Sequence, residues 1–241
     1  MPEILKRLVT IATAIAAGVL AVTAFAFPVE LGLEPNNKPE ADCRDEPCRA
    51  TGKMTGFQVQ QLKDADGKRV TRFPTKMRGG NAWLVAFSLT LGDPNAEQRE
   101  FFNRLWGKPA EARVSILDPE PSPGDKNNSH QRYSLHSQSS VYDVRSWFGK
   151  KAWFVLKKRM HVARGQVIAL TLPTWAPVLA TDLRNRERWR SSRKPGQCEE
   201  LERDRARETI GQITKFQCRH NTARLLFTAL VVKKTPENKS G

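Results

Sequence analysis

The residues best suited to binding chemistry lie in an arginine-rich segment around Trp189. Guanidinium groups pair with phosphate or carboxylate and stack on aromatic rings, so this composition favours contact with a polyanion or a glycan. Trp175 stands between two prolines and offers a second ring for stacking. In the alternative interpretation, period-two alternation places Trp189 in the core and leaves the arginines as a solvated exterior. The candidate binding residues are Arg184, Arg186, Arg188, Arg190 and Trp175.

The chain has four cysteines, Cys43, Cys48, Cys198 and Cys218. A zinc site would need further short spacings or several nearby histidines, and only His220 lies close to one of these pairs. Two local disulfides, Cys43–Cys48 and Cys198–Cys218, are therefore the favoured prediction, although three connectivities are possible in principle. The sequence predicts no metal site and no cofactor.

Motifs typical of catalytic sites are incomplete. Residues 191–194 fit the S-x-x-K pattern, but Pro195 follows at once and the partner motifs S-D-N and K-T-G are missing. Residues 64–67 (Asp-Ala-Asp-Gly) resemble part of a calcium-binding loop. That loop would begin at Leu62 and end at Phe73, where carboxylates are required, so a hairpin turn is predicted instead. A non-catalytic role is therefore favoured.

An apolar N-terminal segment determines where these residues are expected to work. Residues 9–26 carry no charge and follow Lys6 and Arg7, which is the arrangement of a signal peptide or a signal anchor. A small-x-small cleavage pattern ends at Ala26, whereas the uncharged run 8–29 is long enough to span a bilayer. We expect an exported protein, either anchored in the plasma membrane with its domain outside or secreted after cleavage near Ala26.

The charge of the chain points to anionic partners. Forty Lys and Arg against 25 Asp and Glu give a net charge of +15 over 241 residues. Such a field attracts polyanions, although strong charge can also serve solubility alone. The expected partners are a cell-envelope polyanion or glycan, together with the membrane if the N-terminal segment is uncleaved. Nucleic acid is not expected in vivo, and the sequence predicts no oligomeric state.

The chain divides into four predicted regions. Residues 1–26 are the signal peptide or anchor, and residues 27–49, rich in Pro, Asn and Glu, predict a flexible spacer. Residues 50–234 form the predicted β-sandwich domain, and residues 235–241 a disordered tail.

Alternating apolar residues predict the strands that position the arginines. The clearest strands are residues 82–91, 112–117, 166–172 and 224–232. One helix is predicted to begin at Asp93-Pro94, with Phe102 and Trp106 on its apolar face, and a short solvated helix is predicted at 199–208. The predicted fold is all-β: a two-sheet antiparallel β-sandwich of jelly-roll type with one or two short helices, preceded by an N-terminal hydrophobic helix.

Four segments together carry a family resemblance: residues 50–57, 101–107, 172–177 and 223–228. Over about residues 50–232 the chain resembles a group of exported proteins of unassigned function from high-GC Gram-positive bacteria. The resemblance implies a bacterial exported β-sandwich and brings no activity, ligand or catalytic residue. The leading functional hypothesis is a non-catalytic cell-surface domain that associates with envelope polyanions or glycans. The alternatives are an extracytoplasmic carbohydrate-active enzyme on a jelly-roll scaffold, and a structural or protein-interaction module with incidental basic charge.

Overall fold

The computed structural model of the protein describes part of the chain: residues 27–32, 49–121, 132–193, 196, 198, 206 and 209–233. Several predictions lie outside these residues, namely the N-terminal hydrophobic helix, the pair Cys43–Cys48, the tail 235–241 and nearly all of the helix at 199–208. No helix within the described residues has the length and apolar composition needed to cross a membrane.

Most of the described chain is β-strand. The strands are β1 (Pro28–Leu31), β2 (Thr51–Lys63), β3 (Arg69–Arg72), β4 (Ala82–Thr90), β5 (Glu111–Pro119), β6 (Arg132–Gln138), β7 (Tyr142–Asp143), β8 (Lys151–Val162), β9 (Val167–Ala176), β10 (Leu179–Ala180), β11 (Glu187–Ser191), β12 (Ile213–Lys215), β13 (Cys218–Asn221), β14 (Arg224–Leu225) and β15 (Phe227–Lys233). All of their pairings are antiparallel. The prediction of an all-β fold with antiparallel sheets is confirmed for the described residues.

The strands form two main sheets. The smaller sheet has the order β1, β15, β4, β8, and the larger has the order β12, β6, β5, β9, β2, β11, β13, with β3 paired to β2 and β7 to β5. A separate pair joins β10 to β14. Alternate residues of both sheets, such as Phe87 and Leu89 of β4 and Val114 and Leu170 of the larger sheet, are fully buried in one core. Since side chains alternate along a strand, each sheet also has an outer face.

The helix α1 (Ala96–Trp106) begins two residues later than the sequence predicts. Asn95, rather than Asp93, is the N-cap, because its side chain accepts a hydrogen bond from the backbone of Gln98 while the Gln98 side chain accepts one from the backbone of Asn95. This reciprocal pair satisfies two backbone donors that would otherwise be unpaired. Phe102 and Trp106 reach the core, as the apolar face of the helix predicts.

Strand β1 corrects the predicted spacer. Residues 28–31, which the sequence places in the flexible spacer 27–49, pair with β15 over the register Pro28 to Val232 through Leu31 to Ala229. Val29 and Leu31 pack against the main core. The spacer interpretation is therefore wrong for these residues, because their alternating apolar side chains complete the edge of the smaller sheet.

A buried polar bridge connects the two sheets. Arg224 and Glu187 are each 5% exposed, and their side chains approach to 3.5 Å between Nη1 and Oε2. Arg224 also donates to the carbonyl of Gly32 and, over 3.1 Å, to Oε1 of Gln58. The amide of Gln58 donates to the carbonyl of Phe227 over 3.0 Å. Buried polar groups need such partners, so this bridge couples β2 and β11 to the end of β1 and to β15.

Strand β8 is an edge strand, because β4 is its only partner among the described strands. The hydroxyl of Tyr142 lies at its free edge, where it donates to the carbonyl of Val155 over 2.8 Å and accepts from the amide of Lys157 over 3.3 Å. Three cations follow in sequence at residues 157–159. Edge strands of natural sheets are commonly protected by such charges.

Candidate anion-binding face

Strand β11 distributes its side chains between the two faces of the larger sheet. Arg188 and Arg190 lie on the outer face and are partly exposed, whereas Trp189 is 2% exposed and belongs to the core. The Trp189 ring stacks on the imidazole of His220, with 3.9 Å between centroids. The period-two alternation of the sequence predicts this separation of aromatic and cationic side chains. A paired strand, not a loop, therefore fixes the direction of the two arginines.

Two further arginines add charge beside β11. Arg219 of β13 is the direct cross-strand partner of Arg190. Burial lowers the pKa of Arg188, and the positive charges of Arg219 and Arg69 lower it further. Because a guanidinium keeps its proton at physiological pH, the part of this shift due to the neighbouring arginines reflects repulsion among charges held close together. We call Arg69, Arg188, Arg190 and Arg219 the cationic face.

The charge of the cationic face is not neutralised within the described part of the chain. No described carboxylate forms an ion pair with any of its four guanidinium groups. The acidic residue nearest in sequence, Glu187, is buried and faces Arg224 instead. An uncompensated group of like charges produces a strong local potential that attracts anions.

A hydrogen bond to the backbone fixes the side chain of Arg190. Its Nη1 donates to the carbonyl of Phe216 over 3.0 Å. Burial lowers the pKa of Arg190; Tyr133 opposes this shift, while Arg219 and Arg188 add to it. One end of the guanidinium is thus fixed by the protein, so an incoming anion meets an oriented group with little side-chain entropy left to lose.

A second apolar cluster supports this part of the sheet. It lies on the outer face, where Phe57 contacts Tyr133 and Phe216 with ring centroids 5.0 Å and 5.2 Å apart. Phe57 is also the cross-strand partner of Arg190. The cluster orders the segment that carries the Phe216 carbonyl, and thereby the arginine bound to it. Its buried members are Phe57, Val59, Leu117, Tyr133, Leu135, Val167, Ala169 and Phe216.

The disulfide Cys198–Cys218 confirms one of the two predicted pairings. Cys218 is fully buried and pairs with Ser191 in the β11–β13 register. Arg193 donates to the carbonyl of Cys198 over 3.2 Å and so adds a second connection to the same region. The disulfide therefore secures β13, the strand that brings Arg219 to the cationic face.

A serine–histidine contact lies on the other side of β11. Ser191 Oγ and His220 Nε2 are 3.2 Å apart. Burial, together with the positive charge of Arg193, lowers the pKa of His220 to about 4. A neutral imidazole beside a hydroxyl is the arrangement that activates a serine nucleophile. Ser191, however, is fully buried, so no substrate reaches its Oγ and the contact serves packing.

The other predicted arginines differ from Arg188 and Arg190. Arg186 precedes β11 and pairs with Glu187, with Nε 3.2 Å from Oε1. Arg184 is exposed in the loop before the strand, where its carbonyl accepts from the amide of Glu187. Arg186 therefore offers an anion less uncompensated charge than the sequence suggests, and Arg184 is less rigidly placed.

Trp175 is not part of any surface site. It is 1% exposed, its Nε1 donates to Asn103 Oδ1 over 3.1 Å, and its ring packs against Phe102 and Phe148. The prolines around it predict an exposed loop, but β9 continues to Ala176. The prediction of Trp175 as a ligand-stacking residue is corrected, because its indole is enclosed between helix and sheet.

Sequence reasoning misses Arg69 and Arg219. The sequence does contain a signal for Arg219. If Cys218 is buried in a disulfide, strand alternation places the next side chain, that of Arg219, on the opposite face of the sheet. Arg69 has no local signal, since only the pairing of β3 with β2 brings it near Arg188.

A pocket of about 260 Å³ opens near the end of β1. Its lining includes four cations, Arg72, Lys76, Arg78 and Lys233, and one carboxylate, Glu30. This lining offers a small anion several charges but does not provide the two facing carboxylates that glycoside hydrolysis requires. Among the described residues, no group of three or more His, Cys, Asp or Glu side chains could hold a metal ion.

Comparison of the chain with protein-family models, with curated proteins and with solved structures finds no match.

Proposed function

We propose that this protein is an exported, non-catalytic domain of the cell surface that binds envelope polyanions or anionic glycans through its cationic face. The observation that carries this proposal is Arg188, which lies between the charges of Arg69 and Arg219 with no described carboxylate paired to any of the three. An anion bound there relieves the repulsion and forms charge-assisted hydrogen bonds, which are the stronger class in proteins.

The spacing of the arginines suits a polymer better than a single small ion. Arg190 and Arg219 are direct neighbours on paired strands, and such neighbours lie about 5 Å apart at their backbones. Successive anionic groups along a chain can therefore be engaged by successive guanidiniums. Since the strands are ordered before binding, little additional conformational entropy is lost.

Three features support an exported location. The uncharged segment at residues 9–26 follows two cations, as in a signal peptide or anchor. The Cys198–Cys218 disulfide is typical of proteins in oxidising compartments. The resemblance to exported proteins of high-GC Gram-positive bacteria, with a jelly-roll arrangement of the sandwich, agrees with both.

Titration with dextran sulfate, with neutral dextran as a reference, tests the proposal. We expect binding that weakens steeply with salt, because polyanion binding releases counterions. The double variant Arg188→Ala with Arg219→Ala removes two charged hydrogen-bonding groups. At about 1.5 kcal/mol each, the dissociation constant should rise about 100-fold.

A control variant that loses the same number of positive charges separates the effect of the cationic face from the effect of net charge. Arg104→Ala with Arg164→Ala also removes two exposed arginines, but from α1 and from the turn after β8. We expect this variant to bind within about threefold of the wild type, since salt screens distant charges. Equal losses in both double variants would mean that net charge, not the cationic face, determines binding.

A further inference from the structure

The outer face of the smaller sheet exposes apolar side chains that the polyanion proposal does not use. Val155 is 73% exposed and Trp153 is 43% exposed, both on the edge strand β8. Val155 and the half-buried Leu230 of β15 are both cross-strand partners of Ala86 in β4, and Trp83 is the cross-strand partner of the half-buried Val232. Large apolar side chains gathered on a regular sheet face indicate a surface that contacts something apolar.

Cations accompany the aromatic rings of this face. Lys151 Nζ lies 5.6 Å from the centroid of the Trp153 ring, and the Arg159 guanidinium lies 4.3 Å from that of Trp83. One of these cations also contacts a carboxylate, since Glu30 Oε1 lies 3.8 Å from Lys151 Nζ. We call Trp83, Trp153, Val155, Lys151 and Arg159 the tryptophan face.

We propose that the tryptophan face lies against a lipid bilayer that carries anionic head groups. Trp side chains favour the boundary between acyl chains and head groups, and Lys and Arg reach phosphate while their stems cover apolar surface. Val155 is the most exposed large aliphatic of the face and gains free energy only from an apolar partner. A sugar ring is disfavoured as the partner, because Arg159 already covers the Trp83 ring.

Tryptophan quenching by brominated lipid tests this inference on the full chain. The protein is reconstituted into vesicles of phosphatidylcholine and phosphatidylglycerol with bromine on the acyl chains. We expect quenching of the wild-type emission and a clearly smaller quenched fraction in Trp153→Phe, in which Trp83 remains. Val155→Glu, at a position too exposed to disturb the core, should also reduce quenching because it puts a charge against the lipid.

Trp147 provides a matched control. Its side chain is also 43% exposed, but it lies in the 3-10 turn Arg145–Trp147 outside the tryptophan face. Trp147→Phe should leave lipid quenching nearly unchanged. An equal loss in both Trp→Phe variants, or equal quenching in vesicles of phosphatidylcholine alone, would overturn the inference. The Arg188→Ala, Arg219→Ala variant should keep its lipid quenching, so this proposal and the polyanion proposal can fail separately.

Discussion

The outer faces of the two sheets both carry cations but differ in what those cations contact. On the larger sheet, Arg188 lies among other guanidiniums, which repel it. On the smaller sheet, Lys151 and Arg159 lie over indole rings, which attract them. A bound anion stabilises a cation that lies among other cations. A cation over an aromatic ring, in contrast, already has a favourable electrostatic contact with that ring. In both proposals, the immediate neighbours of a charge, more than the net charge of +15, therefore decide which ligand each surface is expected to bind.

Glu187→Leu should have the largest effect, because it breaks the buried bridge beneath both faces. Arg224 would keep its charge in a buried site but lose the carboxylate that lies 3.5 Å from its Nη1. Removing one partner of a buried pair typically costs about 3–5 kcal/mol. We expect the free energy of unfolding, measured by urea denaturation, to fall by this amount and both binding activities to weaken together.

The double variant Glu187→Leu with Arg224→Met is the control for this bridge. Replacing both buried charges by apolar groups is often close to neutral, so most of the lost stability should return. A Glu187→Leu protein that loses less than about 1 kcal/mol would indicate that the bridge does not join the sheets.

Removing the disulfide should affect the two faces unequally. Cys198→Ala with Cys218→Ala opens a loop with a sequence separation of 20 residues, for which the chain-entropy argument gives about 3 kcal/mol. Strand β13 would loosen and Arg219 would lose its fixed place beside Arg190. We expect weaker dextran sulfate binding with lipid quenching unchanged. Equal weakening of both would contradict the view that the faces are independent.

His220 should give a smaller, pH-dependent effect. Its pKa is about 4 in the folded chain against 6.5 for an unperturbed histidine, so between these values the unfolded chain binds the proton and the folded chain does not. The contribution of His220 to stability is therefore complete above pH 6.5 and declines as the pH falls toward 4. Between pH 7 and pH 5 the loss is about 2 kcal/mol.

His220→Phe removes this titration and keeps a ring for stacking on Trp189. Urea denaturation at both pH values should then show a difference between pH 7 and pH 5 that is smaller by about 2 kcal/mol. An unchanged difference would mean that His220 is protonated in the folded chain at pH 5.

Local sequence patterns predict the strands with strong alternation and miss those defined by distant partners. The predicted strand at residues 82–91 corresponds closely to β4. The predicted strand at 224–232 is instead divided, because the amide of Leu226 donates to the carbonyl of Val178 between β14 and β15. Strand β8 (Lys151–Val162) is not among the clearest predicted strands, since its exposed cations hide the alternation.

The candidate binding residues were predictable only where one strand carries them. Alternation within β11 separates Arg188 and Arg190 from Trp189 without reference to the rest of the chain. Trp175 could not be placed in this way, because β9 passes through Pro173 at a bulge where residues 173–174 lie opposite Lys53 of β2. Bulges accommodate prolines in sheets, but they depend on the partner strand.

The hydroxyl of Tyr142 has a consequence for how copies of this protein meet. It occupies two adjacent backbone groups of β8, the carbonyl of Val155 and the amide of Lys157, at the edge where another polypeptide could add a strand. The cations that follow would repel the same segment of an identical chain. Neighbouring copies of the protein are thereby protected from edge-to-edge aggregation, while the flat side of the same strand stays open to contact.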